Sequence, residues 1–169
     1  MSGATSMKRL ILITVVMLLA VLYSVSAFAD DCRFDFSRKT VEDKRTDLTW
    51  TRAADLGKLD WTGASDLVKR LNKKEYAGFN DWRLPSKDEL DTLVTYAKRA
   101  NYTGGADAFS PYQLFNQQGF NDVQNYWYWT SSPYKDNTTY VWVISMYNGN
   151  ARGENKDSSS NVWPVRGGK

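Results

Sequence analysis

Only one cysteine, Cys32, occurs in a chain of 169 residues, so no disulfide can close within it. Any compact state must therefore be held by packing. The aromatic residues can supply that packing. All seven tryptophans lie downstream of Cys32, in a stretch long enough to bury a core of its own.

The N-terminal segment does not belong to that core. Lys8-Arg9 forms a positive start, and Leu10 to Leu22 is apolar apart from Thr14. Ala27-Phe28-Ala29 then places small residues where signal peptidase reads them. The apolar run is shorter than the roughly 20 residues a membrane span requires. Residues 1–29 are expected to be a signal peptide cleaved before Asp30, with residues 30–169 a single exported domain. The membrane then matters only during export, and the final location is periplasm, cell surface or medium. Cys32 would be a free thiol or an intermolecular link. Lys8 and Arg9 leave with the leader, so 22 basic residues fall to 20 against 19 acidic ones. Such balance gives no bulk electrostatic case for nucleic acid.

The remaining chain divides by periodicity. Two short strands, Lys39–Asp43 and Leu48–Trp50, flank a polar turn. Asp60 or Thr62 caps a helix whose stripe is Ala64, Leu67, Val68 and Leu71. Lys69, Arg70, Lys73 and Lys74 fall on its opposite face. A second helix opens on the capping box Ser86-Lys87-Asp88-Glu89 behind Pro85, buries Leu90, Leu93, Val94 and Ala97, and ends at Asn101. From Tyr102 to Asn125 no period is sustained, and this long excursion is expected to be functional or mobile. Tyr126–Ser131 is an aromatic strand, Pro133–Thr139 a polar turn, and Tyr140–Tyr147 a central strand. Asn148-Gly149 predicts a tight hairpin. A return strand starts at Asn150-Ala151-Arg152, Lys156–Asn161 is a Ser-rich loop, and Val162–Arg166 closes the domain. Helices first and strands later make the class α+β, with two amphipathic helices on a small, mainly antiparallel sheet with long loops.

Gly78-Phe79-Asn80-Asp81-Trp82-Arg83-Leu84-Pro85-Ser86-Lys87-Asp88-Glu89-Leu90 resembles the signature of the DUF1566 family, also named for the C-terminal domain of Legionella collagen-like protein. Leu48-Thr49-Trp50-Thr51-Arg52, Tyr128-Trp129-Thr130-Ser131-Ser132 and Val162-Trp163-Pro164-Val165-Arg166-Gly167-Gly168 resemble three further family elements, in order. Asp47 departs from the pattern, standing where the family usually has glycine. The resemblance implies a C-type-lectin-like fold, related in shape to formylglycine-generating enzymes. Where the family has a proposed role, it is adhesion and binding of sulfated glycans.

The residues themselves give a scaffold and several candidate sites. Trp82 and Leu84 can fill the gap between helix and sheet while Pro85 sets the approach. Asp81 and Arg83 must be exposed or paired, since neither can be buried alone cheaply. Arg166 is the expected partner of Asp81; Arg83 is either scaffold or an anion contact. Trp127 and Trp129 share one face of their strand, Tyr126 and Tyr128 the other. One pair is core, and the other is either covered too or a platform for a sugar; Arg152, at the start of the return strand, is a further candidate contact. The Lys69, Arg70, Lys73, Lys74 face is either merely solvated or a polyanion contact.

Catalysis has little support. The chain contains no histidine, which excludes His-based triads and His-rich metal sites. A single cysteine cannot supply the thiol pair of a formylglycine-generating oxidase. A carboxylate-only hydrolase needs two acids, and no spacing singles out a pair. No cofactor is expected. Calcium is the one metal to consider, for the oxygen-rich loops Asn101–Asp122 and Asn150–Asp157. The expectation is a non-catalytic module for a glycan or other polyanion. The alternative is a structural subunit of an envelope assembly, with protein partners or further copies of itself.

Overall fold

A computed structural model describes residues 33–102, 110–135 and 137–168. The expected leader, Cys32, and residues 103–109 of the excursion lie outside the described residues. The chain from Phe34 onward forms one compact unit.

Helix α1 spans Trp61–Lys73, and Asp60 caps it by accepting the Gly63 N–H at 2.6 Å. Its stripe is as expected: Ala64 and Val68 are buried, with Leu67 and Leu71 partly buried beside them. Helix α2, Lys87–Tyr102, buries Leu90, Leu93, Val94 and Ala97 and runs one residue past the expected end at Asn101. Between Tyr102 and Asn125 the structure holds an element the sequence reading missed. Helix α3, Pro111–Gln118, starts with proline at its first turn and buries Phe115. Gln113 reaches back to accept the Ser110 N–H at 2.9 Å, one half of a capping box.

The strands form two sheets where one was expected. The first comprises β1 (Phe34–Phe36), β2 (Thr40–Asp43), β3 (Leu48–Thr51) and β9 (Val165–Gly167), in the order β1-β2-β3-β9 and antiparallel throughout. The two expected early strands are thus joined by a third, and strands precede the helices as well as follow them. The second sheet comprises β4 (Lys58–Leu59), β5 (Trp127–Tyr134), β6 (Asn137–Ser145), β7 (Ala151–Asn155) and β8 (Ser160–Asn161), ordered β4-β8-β5-β6-β7. The β5–β8 pairing is parallel and the others antiparallel. The class is α+β.

Three local expectations are corrected. Pro133–Thr139 is not a turn, because Pro133 pairs with Val141 and Tyr134 with Asn137 after a shift in register. A bulge lets a proline without an N–H sit in a strand. Asn148-Gly149 is not a two-residue hairpin loop; residues 146–150 connect β6 to β7. There Gly149 adopts φ 70° and its N–H donates to Ser145 at 2.8 Å. A side chain at that position would collide with Val94 of α2, so helix packing shapes the connection. The closing strand begins at Val165 instead of Val162.

The five-stranded sheet carries a core on each face. Tyr128, Ile144 and Met146 meet α2, α3 and the first sheet, in one cluster with Trp50, Leu90, Leu93, Phe115 and Trp163. Trp129, Val141 and Val143 point the other way, to Ala64 and Val68 of α1 and to Trp82, Leu84 and Val162. The successive residues Tyr128 and Trp129 therefore sit in different cores, as strand alternation requires.

Candidate functional site

The signature run enters α2 through a network of charges. Ser86 and Glu89 satisfy each other: Glu89 Oε2 accepts the Ser86 N–H at 2.7 Å, and Ser86 Oγ accepts the Glu89 N–H at 3.2 Å. Arg83 closes on the same carboxylate with two bonds, of 2.7 and 2.6 Å, and also donates to the Gly167 carbonyl at 2.8 Å. Burial pushes the Glu89 carboxyl up, but the hydrogen bonds from Arg83 and Ser86 outweigh it and hold it below the ordinary glutamate range. The same pair, through the Glu89 hydrogen bond first, raises the Arg83 guanidinium. Asp81 takes the Arg166 Nε–H at 2.7 Å, the expected partnership, and that bond holds its carboxyl low.

The other motif elements tie to this run. Arg83 and Val165 exchange backbone bonds of 2.9 and 3.0 Å. The Ser131 N–H donates to the Pro85 carbonyl at 2.8 Å, and Ser132 Oγ accepts the Lys87 N–H at 2.9 Å. Trp163 Nε1 donates to Thr51 at 2.9 Å, and Trp82 Nε1 to Tyr76 at 2.9 Å. The closing glycines have a steric reason. Gly167 and Gly168 adopt φ 74° and 77°, and a Cβ on Gly167 would stand 2.8 Å from the Asp47 carbonyl oxygen. Asp47 itself has φ 54°, the left-handed region that favours glycine, which accounts for the family's preference there.

Two ligand candidates therefore become scaffold. Arg83 is committed to Glu89 and Gly167. Trp129 is 0% exposed and donates its Nε1–H to Leu59 at 2.7 Å, so it cannot offer a ring to a sugar. Trp127 and Arg152 do meet, but they cover each other. The guanidinium lies 4.2 Å from the Trp127 ring centroid and is held by Glu154 at 2.5 Å.

The face of α1 is different. Lys69, Arg70, Lys73 and Lys74 are all exposed, and among the described residues only Lys69 of the four has an acidic partner, Asp66 at 2.9 Å. The turn that follows adds two cations from elsewhere in the chain. Lys39, just before β2, sits 5.4 Å from the Tyr76 ring centroid, and Arg166 of β9 lies 3.8 Å from that of Phe79. Both rings pack edge-on against Trp82 and remain partly exposed. The turn is fixed from inside. Asn72 accepts from the Trp82 N–H at 2.7 Å and donates to the Trp82 carbonyl at 2.8 Å, while Glu75 and Ala77 take left-handed conformations. Sequence reasoning found the α1 cations from helical spacing. Lys39 and Tyr76 carry no local signal, because only the fold brings them together.

Among the described residues no three acidic or cysteine side chains gather as a metal site would need. The calcium expectation for Asn101–Asp122 falls partly on residues 103–109, outside the described residues.

A two-sheet α+β scaffold locked by four sequence elements that bond to one another defines a fold family. The chain belongs to the family described as the Lcl C-terminal domain, whose model matches residues 39–166. No curated protein gives a significant match to it.

Proposed function

We propose that this domain is an exported, non-catalytic binding module that holds an anionic glycan on the exposed face of α1 and the turn after it. One observation carries the reading. Lys39 lies against the partly exposed ring of Tyr76 and Arg166 against that of Phe79, on the turn that directly follows the exposed Arg70, Lys73 and Lys74 of α1. Cations beside rings suit a sulfated or uronic sugar, whose acid groups take charge-assisted hydrogen bonds and whose C–H faces lie on aromatic carbon. Asp66 pairs with Lys69 and Asp81 with Arg166, while Arg70, Lys73 and Lys74 have no acidic partner among the described residues and outnumber the exposed Glu75 beside them.

The alternative, a structural subunit of an envelope assembly, calls for a broad apolar patch. Among the described residues only Tyr126 and Tyr147 are large, apolar and exposed, at 39% and 57%, which favours the glycan reading. A carboxylate hydrolase would need two free acids in one cleft, and Asp35, Asp66, Asp81, Glu89 and Glu154, each paired with a cation, are not candidates for that role.

The test is retention of the purified protein on immobilised heparin under a salt gradient, with and without calcium. The expected result is retention that fades with salt and weakens when Lys69, Arg70, Lys73 and Lys74 are all replaced by alanine. These exposed substitutions should shift stability by only about 0.5 kcal/mol each. Absence of retention at low salt would sink the proposal.

A further inference from the structure

A second gathering of rings and cations lies away from the α1 face, and borders the family signature only at Lys87. It occupies the far end of β5, β6 and β7. Trp142 alternates with Val141 and Val143, which pack toward α1, so Trp142 projects from the opposite face of the sheet. The Tyr134 ring meets it edge-on at 4.7 Å, and Tyr140 lies 6.4 Å from Tyr134. Gly153 pairs with Trp142 across the β6–β7 ladder. Tyr134 lies flat over that glycine: a Cβ there would come within 2.6 Å of the ring. The missing side chain thus seats an aromatic ring on an edge strand. All three rings remain partly exposed.

Two lysines border them. Lys87, the first residue of α2, places its ammonium 5.5 Å from the Trp142 centroid, and Lys135 places its own 5.0 Å from that of Tyr134. Neither is in an ion pair among the described residues. Packing accounts for Tyr134 over Gly153, but it does not require an ammonium group beside each of the partly exposed Trp142 and Tyr134 rings.

We propose that this cluster is a second carbohydrate subsite, taking one acidic pyranose residue. The C–H face of the sugar lies on Trp142, with Tyr134 standing nearly perpendicular beside it as a wall, and its carboxylate or sulfate accepts from the Lys87 ammonium. Lys87 gives up an exposed cation–π contact for a stronger charge-assisted hydrogen bond, and its long side chain makes the exchange without backbone movement. The subsite rests on the glycan reading, but it is separate from the α1 face and lies across the sheet from it.

The experiment is a titration of the full chain with tetragalacturonate, read by amide and indole N–H shifts in a nitrogen–proton correlation spectrum. It is repeated on the variant with Lys69, Arg70, Lys73 and Lys74 replaced by alanine. The expected result is movement of the Trp142 indole and Lys87 amide signals in both proteins, with affinity about fivefold weaker in Lys87→Glu. Lys87→Glu leaves the fold intact, because an acid suits the first turn of a helix. The fully methyl-esterified tetramer, with the same rings and no charge, should bind more weakly. Equal binding of the ester overturns the acidic specificity. Shifts confined to α1 overturn the subsite while leaving the glycan reading in place, and no shift at either surface, together with no heparin retention, removes both.

Discussion

Glu89 ties several parts of this domain together. It caps α2, holds Arg83 with both oxygens, and through Arg83 reaches the Gly167 carbonyl. Its carboxyl is held below the ordinary glutamate value of 4.5, so the folded state binds its proton less readily than the unfolded one. The stabilisation is present above that unfolded value and is lost as pH falls through the folded one. Below about pH 4.5, the wild-type urea midpoint should therefore drop more steeply than that of Glu89→Gln. Parallel slopes would show that the network is not coupled to folding. Asp81 makes the contrasting case. Its pair with Arg166 is equally short, but its side chain is 50% exposed, where solvent screens the charge. Asp81→Asn should cost only about 0.5–1 kcal/mol in thermal unfolding and leave heparin retention intact. A loss of retention at unchanged melting temperature would move Asp81 into the binding surface. Gly167→Ala should cost about 1–3 kcal/mol, because it combines a left-handed φ with a contact to the Asp47 carbonyl.

At the level of elements, α1 and α2 were legible because each spans enough turns to repeat its apolar stripe and each opens on a capping residue. Helix α3 has only eight residues, four of them Gln or Asn counting Asn116, so no stripe can repeat within it. What fixes it is tertiary: Phe115 fits among Phe34, Phe120 and Trp163, with centroids 5.3–6.1 Å away. Phe115→Ala should therefore destabilise the whole domain by about 3–5 kcal/mol, as measured by chemical denaturation. A cost below about 1 kcal/mol would mean that α3 is an ornament on the surface. The same limit explains the misread β5. Pro133 reads locally as the start of a turn, whereas Ser131 and Ser132 leave the ladder to bond Pro85 and Lys87 and pairing resumes at Pro133. The candidate site divides in the same way. Lys69, Arg70, Lys73 and Lys74 are marked by helical spacing, while Lys39 reaches Tyr76 only because β2 and the end of α1 converge in the fold.

The molecule as a whole is organised by the five-stranded sheet, which has hydrophobic packing on both sides. Tyr128 and Trp129 anchor opposite cores through one stretch of β5, so neither core can open without exposing the back of the other. Trp163 stands in one core with Trp50 and Tyr128, and Trp129 in the other. If the cores were separable, their tryptophans would report different transitions. The shared strand instead predicts one cooperative unfolding event. Tryptophan fluorescence, near-ultraviolet dichroism and far-ultraviolet dichroism should give coincident midpoints. Trp129→Phe leaves the Leu59 carbonyl without its 2.7 Å donor and opens space beside Val143. It should lower stability by about 1–3 kcal/mol, shifting all three curves together. A variant in which fluorescence moves and far-ultraviolet dichroism does not would show that the α1 side melts alone, and the sheet would then be a boundary between two folding units.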